Sequence, residues 1–348
     1  MPEDNLTTGF RISEARALVK DLFTPSPLIY WADFMLHVTL GWAAFAVAVV
    51  SPGLSVVQTL ALLVAALSLY RAAIFIHELA HLKRGTFGVF RWVWNLSCGF
   101  PLMIPSFTYR GVHNDHHKRA VYGTTEDGEY LPFAVQSPWH IVLYLLFSFA
   151  APLLLAGRFI VLTPLSWLHP RWRRWVWEHA SSLTIDLRYR RLAASAKDET
   201  NWKLQEALTA AYGITAITFA ASGIIPVRAL GIWYLLELSV FLLNSVRTLA
   251  AHRYRNPGTR SMAFADQFLD SVNVTGHPLI TPLWAPVGLR FHATHHLFPA
   301  IPYHALGEAH RRLATRLSDS SVYLSTTRNS LWSALRELWQ ESRRNQAA

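Results

Sequence analysis

Cysteine occurs once in the chain, at Cys98, which excludes an intrachain disulfide and any metal cluster built on thiolates. Charge is scarce too: Asp, Glu, Lys and Arg make up 16% of the residues against 52% apolar ones, a balance that argues against an ordinary soluble domain and for a bilayer as the surrounding solvent. Acids are rarer than bases, 22 against 32, which leaves a net charge of +10. The basic residues interleave with tryptophan around long apolar runs, a pattern that fits anionic lipid headgroups better than nucleic acid. No Gly-rich nucleotide fingerprint follows a strand pattern and no HPGG segment occurs, so a built-in flavin, nicotinamide or haem module is not expected. Internal repeats, low-complexity tracts and a soluble second domain are likewise missing, and residues 1–348 read as one membrane-integrated domain.

The apolar runs are long enough to span. Leu28 to Val50 and Leu54 to Ile76 each suffice to cross ~30 Å of hydrocarbon, and the break at Ser51, Pro52 and Gly53 makes them a helical hairpin. Glu206 to Ile225 and Ala229 to Ala251 read as a second hairpin about Pro226. Between the hairpins, Phe87 to Phe107 is interrupted by Arg91, Gly99, Pro101 and Pro105 and reads as interfacial or re-entrant. Pro138 to Leu165 carries Pro152 and Gly157 and reads as a bent or shallow helix pair. A single crossing there would put the arginine-rich stretch that follows outside, against the preference of Arg and Lys for the cytoplasm. The Trp and Arg cluster from Trp167 to Trp177 is expected in the headgroup layer. The acidic start, MPEDNLTTGF, lacks the basic character of a secretory signal, so residues 1–27 read as a cytosolic segment, with a short helix over Ser13 to Phe23. Tyr303 to Leu317 and Asn329 to Arg343, within residues 303–348, read as amphipathic cap helices. The expected fold is an all-α integral membrane protein with four transmembrane helices in two hairpins, interfacial or re-entrant helices and a cytosolic helical cap.

Histidine supplies the chemistry. HELAH places His77 and His81 one helical turn apart; HNDHH sets His113, His116 and His117 at i, i+3 and i+4; FHATHH repeats that spacing with His292, His295 and His296. Each set shares one face of a helix and can converge on an ion. Imidazole is the commonest protein metal ligand, so eight histidines at these spacings read as a single site for more than one metal. Parity of crossings places all three clusters on one side of the membrane. His37, His140, His169, His179, His304 and His310 lack ligand spacing and read as structural or interfacial.

The order HxxxH, HxxHH, HxxHH, with 36 positions between His77 and His113 and a long hydrophobic insertion before His292, resembles the membrane fatty acid desaturase and hydroxylase superfamily. The likeness runs from about Ile74 to Leu313 and includes GTTEDGEYLP and HHLFPAIPYH. It implies two non-haem iron ions, dioxygen as co-substrate and oxidation of a fatty acyl chain. Desaturation is the commonest outcome, with hydroxylation and oxidative decarboxylation of a free fatty acid to a terminal alkene as alternatives. It also implies an external electron donor of ferredoxin, rubredoxin or cytochrome b5 type, and an active site on the cytoplasmic face. Such proteins recruit a further histidine at the cytosolic end of the last span. His252 matches that position; His277, in a Gly-Pro turn, is the rival. The asparagine that precedes this ligand by one turn in the best-known desaturases is Thr248 here, with Asn244 two turns before His252.

Metal-bound imidazoles usually donate their second N–H to a carboxylate or carbonyl, which makes Asp115, Glu126, Asp127, Glu129, Asp266 and Asp270 candidates for that role. Arg247, in the last turns of an apolar span, is a candidate to bind substrate together with Thr248. Beside His252 it could clamp a free carboxylate with the neighbouring carbons at the metals, or it could snorkel to the interface or pair with Asp266 or Asp270. Two other classes compete. HELAH also fits the HExxH pattern of an intramembrane zinc protease, with Glu78 as general base, but leaves both HxxHH clusters unused. A metal transporter would set its ligands near the bilayer midplane on broken helices rather than at helix ends.

Overall fold

The computed structural model describes residues 5–6, 10–83, 85–192 and 196–347. The chain is built of helices, with two small two-stranded pairings among the described residues. It divides into two compact units made of discontinuous segments: residues 30–114 with 145–243, and residues 1–29 with 115–144 and 244–348.

Among the described residues, four helices are long and apolar enough to cross a membrane: Pro27–Val50, Val56–His81, Trp139–Ser166 and Arg228–Leu249. The first two form the expected hairpin. Ser55 caps the second by accepting from the Gln58 N–H at 3.1 Å, and the Gln58 amide reaches back to the Ala48 carbonyl, so the turn is tied at both ends. The helices approach closely at Gly41, where a Cβ would lie 2.5 Å from Leu69 Cγ. Tyr30, Phe34, Phe75 and Phe90 pack together at centroid separations of 5.2–6.0 Å, edge to face except for the tilted Phe75–Phe90 pair. This packing carries His77 and His81 on the last turn of Val56–His81.

The set of long apolar helices differs from the sequence expectation in one member. Trp139–Ser166, read above as a bent or shallow pair, is a continuous helical segment of spanning length, because Pro152 is accommodated within it and the turn at Gly157–Leu162 widens to π-type pairing rather than breaking. Glu206 to Ile225 falls on the helix Ala196–Ala221, whose Gln205, Glu206, Thr209, Thr215 and Thr218 leave it outside the four most apolar helices. Glu206 is fully buried and joins two arginines: Arg158 donates to it at 2.5 Å, Arg173 pairs with its other oxygen, and Arg158 also donates to Thr163, Ser181 and the Ala180 carbonyl. Removing one partner of such a buried network leaves uncompensated charge, so Glu206→Ala is expected to destabilise the protein by about 3–5 kcal/mol. A lowered midpoint in thermal unfolding followed by circular dichroism would register it, and an unchanged midpoint would contradict it.

Phe87 to Phe107 is interrupted as expected, with a short helix Gly88–Trp94, a π turn Asn95–Gly99 and irregular chain to the next helix. That next helix, Phe107–His116, carries His113 and His116 one turn apart.

In the unit formed by residues 1–29, 115–144 and 244–348, the helices Ile12–Val19 and Tyr303–Arg316 enclose a core of Phe10, Val19, Phe268, Leu297, Leu306 and Leu313. Against this core lies the short helix His292–Leu297, which bears the third histidine cluster. The final helix, Leu331–Ala347, buries Ala334, Leu338 and Ser342 at i, i+4 and i+8, and Ala334 joins Ala250, Val272 and Val274 in a second cluster.

Candidate metal centre

Four imidazoles meet in the second of these units. His116 leaves the end of the helix Phe107–His116, His252 follows the end of Arg228–Leu249, and His292 and His296 share one face of His292–Leu297. One ring nitrogen from each lies within 4.8 Å of the others, and all four side chains are buried. The His292 Nε2 is 2.9 Å from that of His252 and 3.1 Å from that of His296. Nitrogen ligands ~2.1 Å from one ion, at octahedral to tetrahedral angles, are ~3.0–3.4 Å apart, so the spacing suits a shared cation. The His117 Nε2 is 3.1 Å from that of His295, and the His117 ring stacks on His296 at 4.5 Å.

Three further histidines converge in the other unit. His81 and His113 bring their Nε2 atoms to 2.8 Å, and the His77 ring lies 4.9 Å from His81 and 4.5 Å from His113. Tyr109 stacks on His113 at 4.8 Å with its hydroxyl 3.0 Å from Nδ1, an i, i+4 pairing along one helix. Glu78, buried between the two histidines of HELAH, accepts from Tyr30.

The rings of the four-histidine group are held from behind. The His116 Nδ1 lies 2.9 Å from Asp127 Oδ2, and that carboxylate is itself fixed by the backbone N–H groups of Gly123 and Glu129 at 2.8 and 2.9 Å. The turn GTTEDGE thus folds around Asp127 as an Asx-type turn. Gly123 is required in it, since its φ of +70° is left-handed and a Cβ would press on Met262 Sδ at 2.9 Å. The His252 Nδ1 lies 2.8 Å from the Tyr122 hydroxyl, which donates onward to Asp270 Oδ2 at 3.2 Å. In both cases the outer nitrogen meets an oxygen and the inner one faces the cluster, the arrangement that fixes the tautomer of a metal-binding imidazole.

Electrostatics agree with that division. Burial works against a charge on His116, but the Asp127 carboxylate outweighs it and raises the imidazole above its usual value. Burial, then the neighbouring His116 and Arg247, hold His252 well below it, and burial with the other histidines does the same for His296. Burial also lifts Asp270 to about 6. Neutral rings with free lone pairs are the form that binds a cation. Nothing in this donor set conflicts with one: nitrogen ligands, buried, convergent and oriented from outside.

The third cluster has its own brace. Asn273 Oδ1 accepts from the Thr294 backbone N–H at 3.0 Å, the Thr294 and Tyr323 hydroxyls are 2.6 Å apart, and Tyr323 meets His310 Nδ1 at 2.8 Å. His310 thus supports the helix of the third cluster rather than joining the ring-nitrogen group.

Other residues singled out from the sequence are distributed as follows. His277 is exposed and accepts from the Leu279 N–H, away from the four-histidine group. Asp115 pairs with Lys118, while Glu126 and Asp266 are exposed. Glu129 is half-buried, its backbone on Asp127. Arg247 donates to Asn244 Oδ1 at 3.0 Å and Thr248 Oγ1 at 2.9 Å. Tyr122, Tyr254, Asn273 and Tyr323 were not singled out, because their partners lie up to 148 positions away in the chain and no local spacing announces them.

Comparison with known proteins points the same way. Residues 54–328 match the family described as Fatty acid desaturase. A protein of Caulobacter vibrioides (strain NA1000 / CB15N) named Ceramide hydroxylase is 39% identical over 345 residues, covering 96% of this chain and 94% of its own length. Apolar helices of spanning length, histidine clusters able to hold metal and a match over most of the sequence lead to one conclusion: the chain belongs to the fatty acid desaturase family, an oxidoreductase of the desaturase and hydroxylase type that acts on lipid in the membrane.

Proposed function

We propose that the protein hydroxylates a ceramide-type lipid, using dioxygen and iron held by its histidine clusters. The observation that carries the reading is the convergence of His116, His252, His292 and His296 on one point, in a chain 39% identical to a protein named for ceramide hydroxylation. Among the outcomes considered from sequence, that relative favours hydroxylation over desaturation and over decarboxylation to an alkene. The balance is one lipid C–H bond, one dioxygen, two electrons and two protons giving a C–OH group and water.

His116, His252, His292 and His296 would hold one ion, and His77, His81 and His113 would serve a second, with His117 and His295 completing the ligand set. Bound iron supplies dioxygen activation and removal of a hydrogen atom from an unactivated C–H bond. The chain's own part is to orient the rings through Asp127 and Tyr122, keep His252 and His296 neutral by burial and exclude water. One helix, Phe107–His116, contributes a histidine to each cluster. Electrons would come from an external donor of ferredoxin, rubredoxin or cytochrome b5 type, docking on an arginine-rich cytoplasmic face.

The test supplies purified protein, iron and a reducing system with a saturated ceramide and, separately, a saturated free fatty acid under isotope-labelled dioxygen. Mass spectrometry should find ceramide carrying one labelled oxygen. Loss of two hydrogens at unchanged oxygen count would replace the reading with desaturation, and a 1-alkene one carbon shorter than the fatty acid would replace it with decarboxylation.

A further inference from the structure

The last helix, Leu331–Ala347, has two faces of different chemistry. Inward, Ala334 packs with Ala250, Val272 and Val274, and Leu338 and Ser342 follow on the same side. Its acids are taken up within the protein: Glu337 pairs with Arg328, and Glu341 accepts from Arg255 Nε at 2.8 Å. Outward, Trp332, Arg336, Trp339 and Arg343 fall at i, i+4, i+7 and i+11 and make one stripe along the helix. The two indoles are 72% and 39% exposed. Arg336 and Arg343 are exposed as well, and neither has an acidic partner among the described residues.

The same helix is fastened to the ends of two apolar helices of spanning length. Ala250, in contact with Ala334, directly follows Arg228–Leu249. Farther along, the Ser342 hydroxyl donates to the Gln136 carbonyl, and the Asn345 amide donates to that of Ala134 at 2.8 Å, just before Trp139–Ser166 begins. Trp139, first in that helix, is itself 62% exposed. Ala334 and Ser342 are ~12 Å apart along the axis, so a short rigid rod joins the two ends. Apolar helices leave the hydrocarbon where their apolar runs stop, and a rod tied to both stops runs at that level, in the headgroup layer. Indoles favour this layer, where the ring meets acyl chains and the N–H meets water. Turned to water instead, the stripe would leave its indoles uncovered. The unpaired guanidinium groups select the headgroup: phosphate without a compensating ammonium, since both acids of the helix are already engaged.

We propose that Trp332, Arg336, Trp339 and Arg343 lie against the bilayer surface and bind the phosphates of anionic phospholipids, making the last helix a strut that sets the depth of the metal-binding segment. The Val272 N–H donates to the Ala251 carbonyl at 2.8 Å, so the cluster beneath Ala334 is continuous with the backbone beside His252. The anionic lipid is a neighbour of the site and not its substrate, which makes this inference independent of which lipid is oxidised.

The experiment maps lipid contacts of the full-length protein in phosphatidylcholine nanodiscs that carry a trace of a headgroup-photoreactive lipid, either phosphatidylglycerol or phosphatidylcholine. Mass spectrometry of the digested protein locates the crosslinks. The anionic probe should label the helix Leu331–Ala347 more than the zwitterionic one. Arg336→Gln and Arg343→Gln should each lower the anionic labelling roughly 5-fold, the effect of one arginine at a charged surface, and leave the zwitterionic labelling unchanged. Added salt should shrink the same difference in the wild type, which tests the charge without any substitution. A nitroxide on Trp332→Cys, placed selectively because Cys98 is buried, should collide with dissolved oxygen more often than with a water-soluble nickel chelate. Equal labelling by the two probes, or undiminished labelling in both arginine variants, would overturn the phosphate assignment. A nitroxide reached mainly by the nickel chelate would overturn the membrane-facing placement and give the stripe to a soluble partner.

Discussion

Alanine at His292 is expected to abolish lipid oxidation and to release metal from the four-histidine group. His292 holds the middle position, with its Nε2 2.9 Å from that of His252 and 3.1 Å from that of His296. Losing it separates two ligands that would otherwise share an ion with it, and water entering the gap is a weaker donor than imidazole. Loss of a residue that merely orients a ligand typically costs 10- to 100-fold, so loss of a central ligand should exceed about 100-fold in turnover. The control is His140→Gln: His140 is exposed, with its Nδ1 3.2 Å from the Ser137 carbonyl. Turnover should survive there with metal content intact. Wild-type activity in His292→Ala would show that the cluster is a packing feature.

Asp127→Asn should weaken metal binding by about 10- to 100-fold with little change in fold. The carboxylate is fully buried, faces His116 Nδ1 and is itself held by the Gly123 and Glu129 backbone groups. An amide keeps the volume and one acceptor but removes the charge that favours a proton on the outer nitrogen and electron density on the inner one. The effect should appear as a higher apparent dissociation constant for ferrous iron in competition with a chelator. Tyr122→Phe should act in the same direction through His252, since it removes the hydroxyl between His252 and Asp270. If Asp127→Asn binds iron as the wild type does, the orienting role assigned to this carboxylate fails.

These two predictions differ in how visible their residues are before the chain is folded. The histidines of HELAH, HNDHH and HATHH stand out because helical periodicity alone puts their rings on one face. His252 is visible only as a histidine at the end of an apolar run, and the structure brings it into the four-histidine group while leaving His277 exposed. Among six acids near the clusters, sequence offers no way to choose; the turn from Gly123 to Glu129 makes the choice by closing on Asp127. Tyr122, Asn273 and Tyr323 act on partners distant in the chain, and distance in sequence erases the signal. The apolar helices show a related limit. Pro152 and Gly157 argue for a break in Trp139–Ser166, yet one wide turn absorbs the mismatch and the helix continues.

Metal analysis of the purified full-length protein tests the central claim most directly. The account predicts about two iron ions per chain after reconstitution, falling in His292→Ala and in His113→Ala separately. One equivalent of zinc, bound independently of His292 and accompanied by proteolysis that Glu78→Gln abolishes, would contradict it.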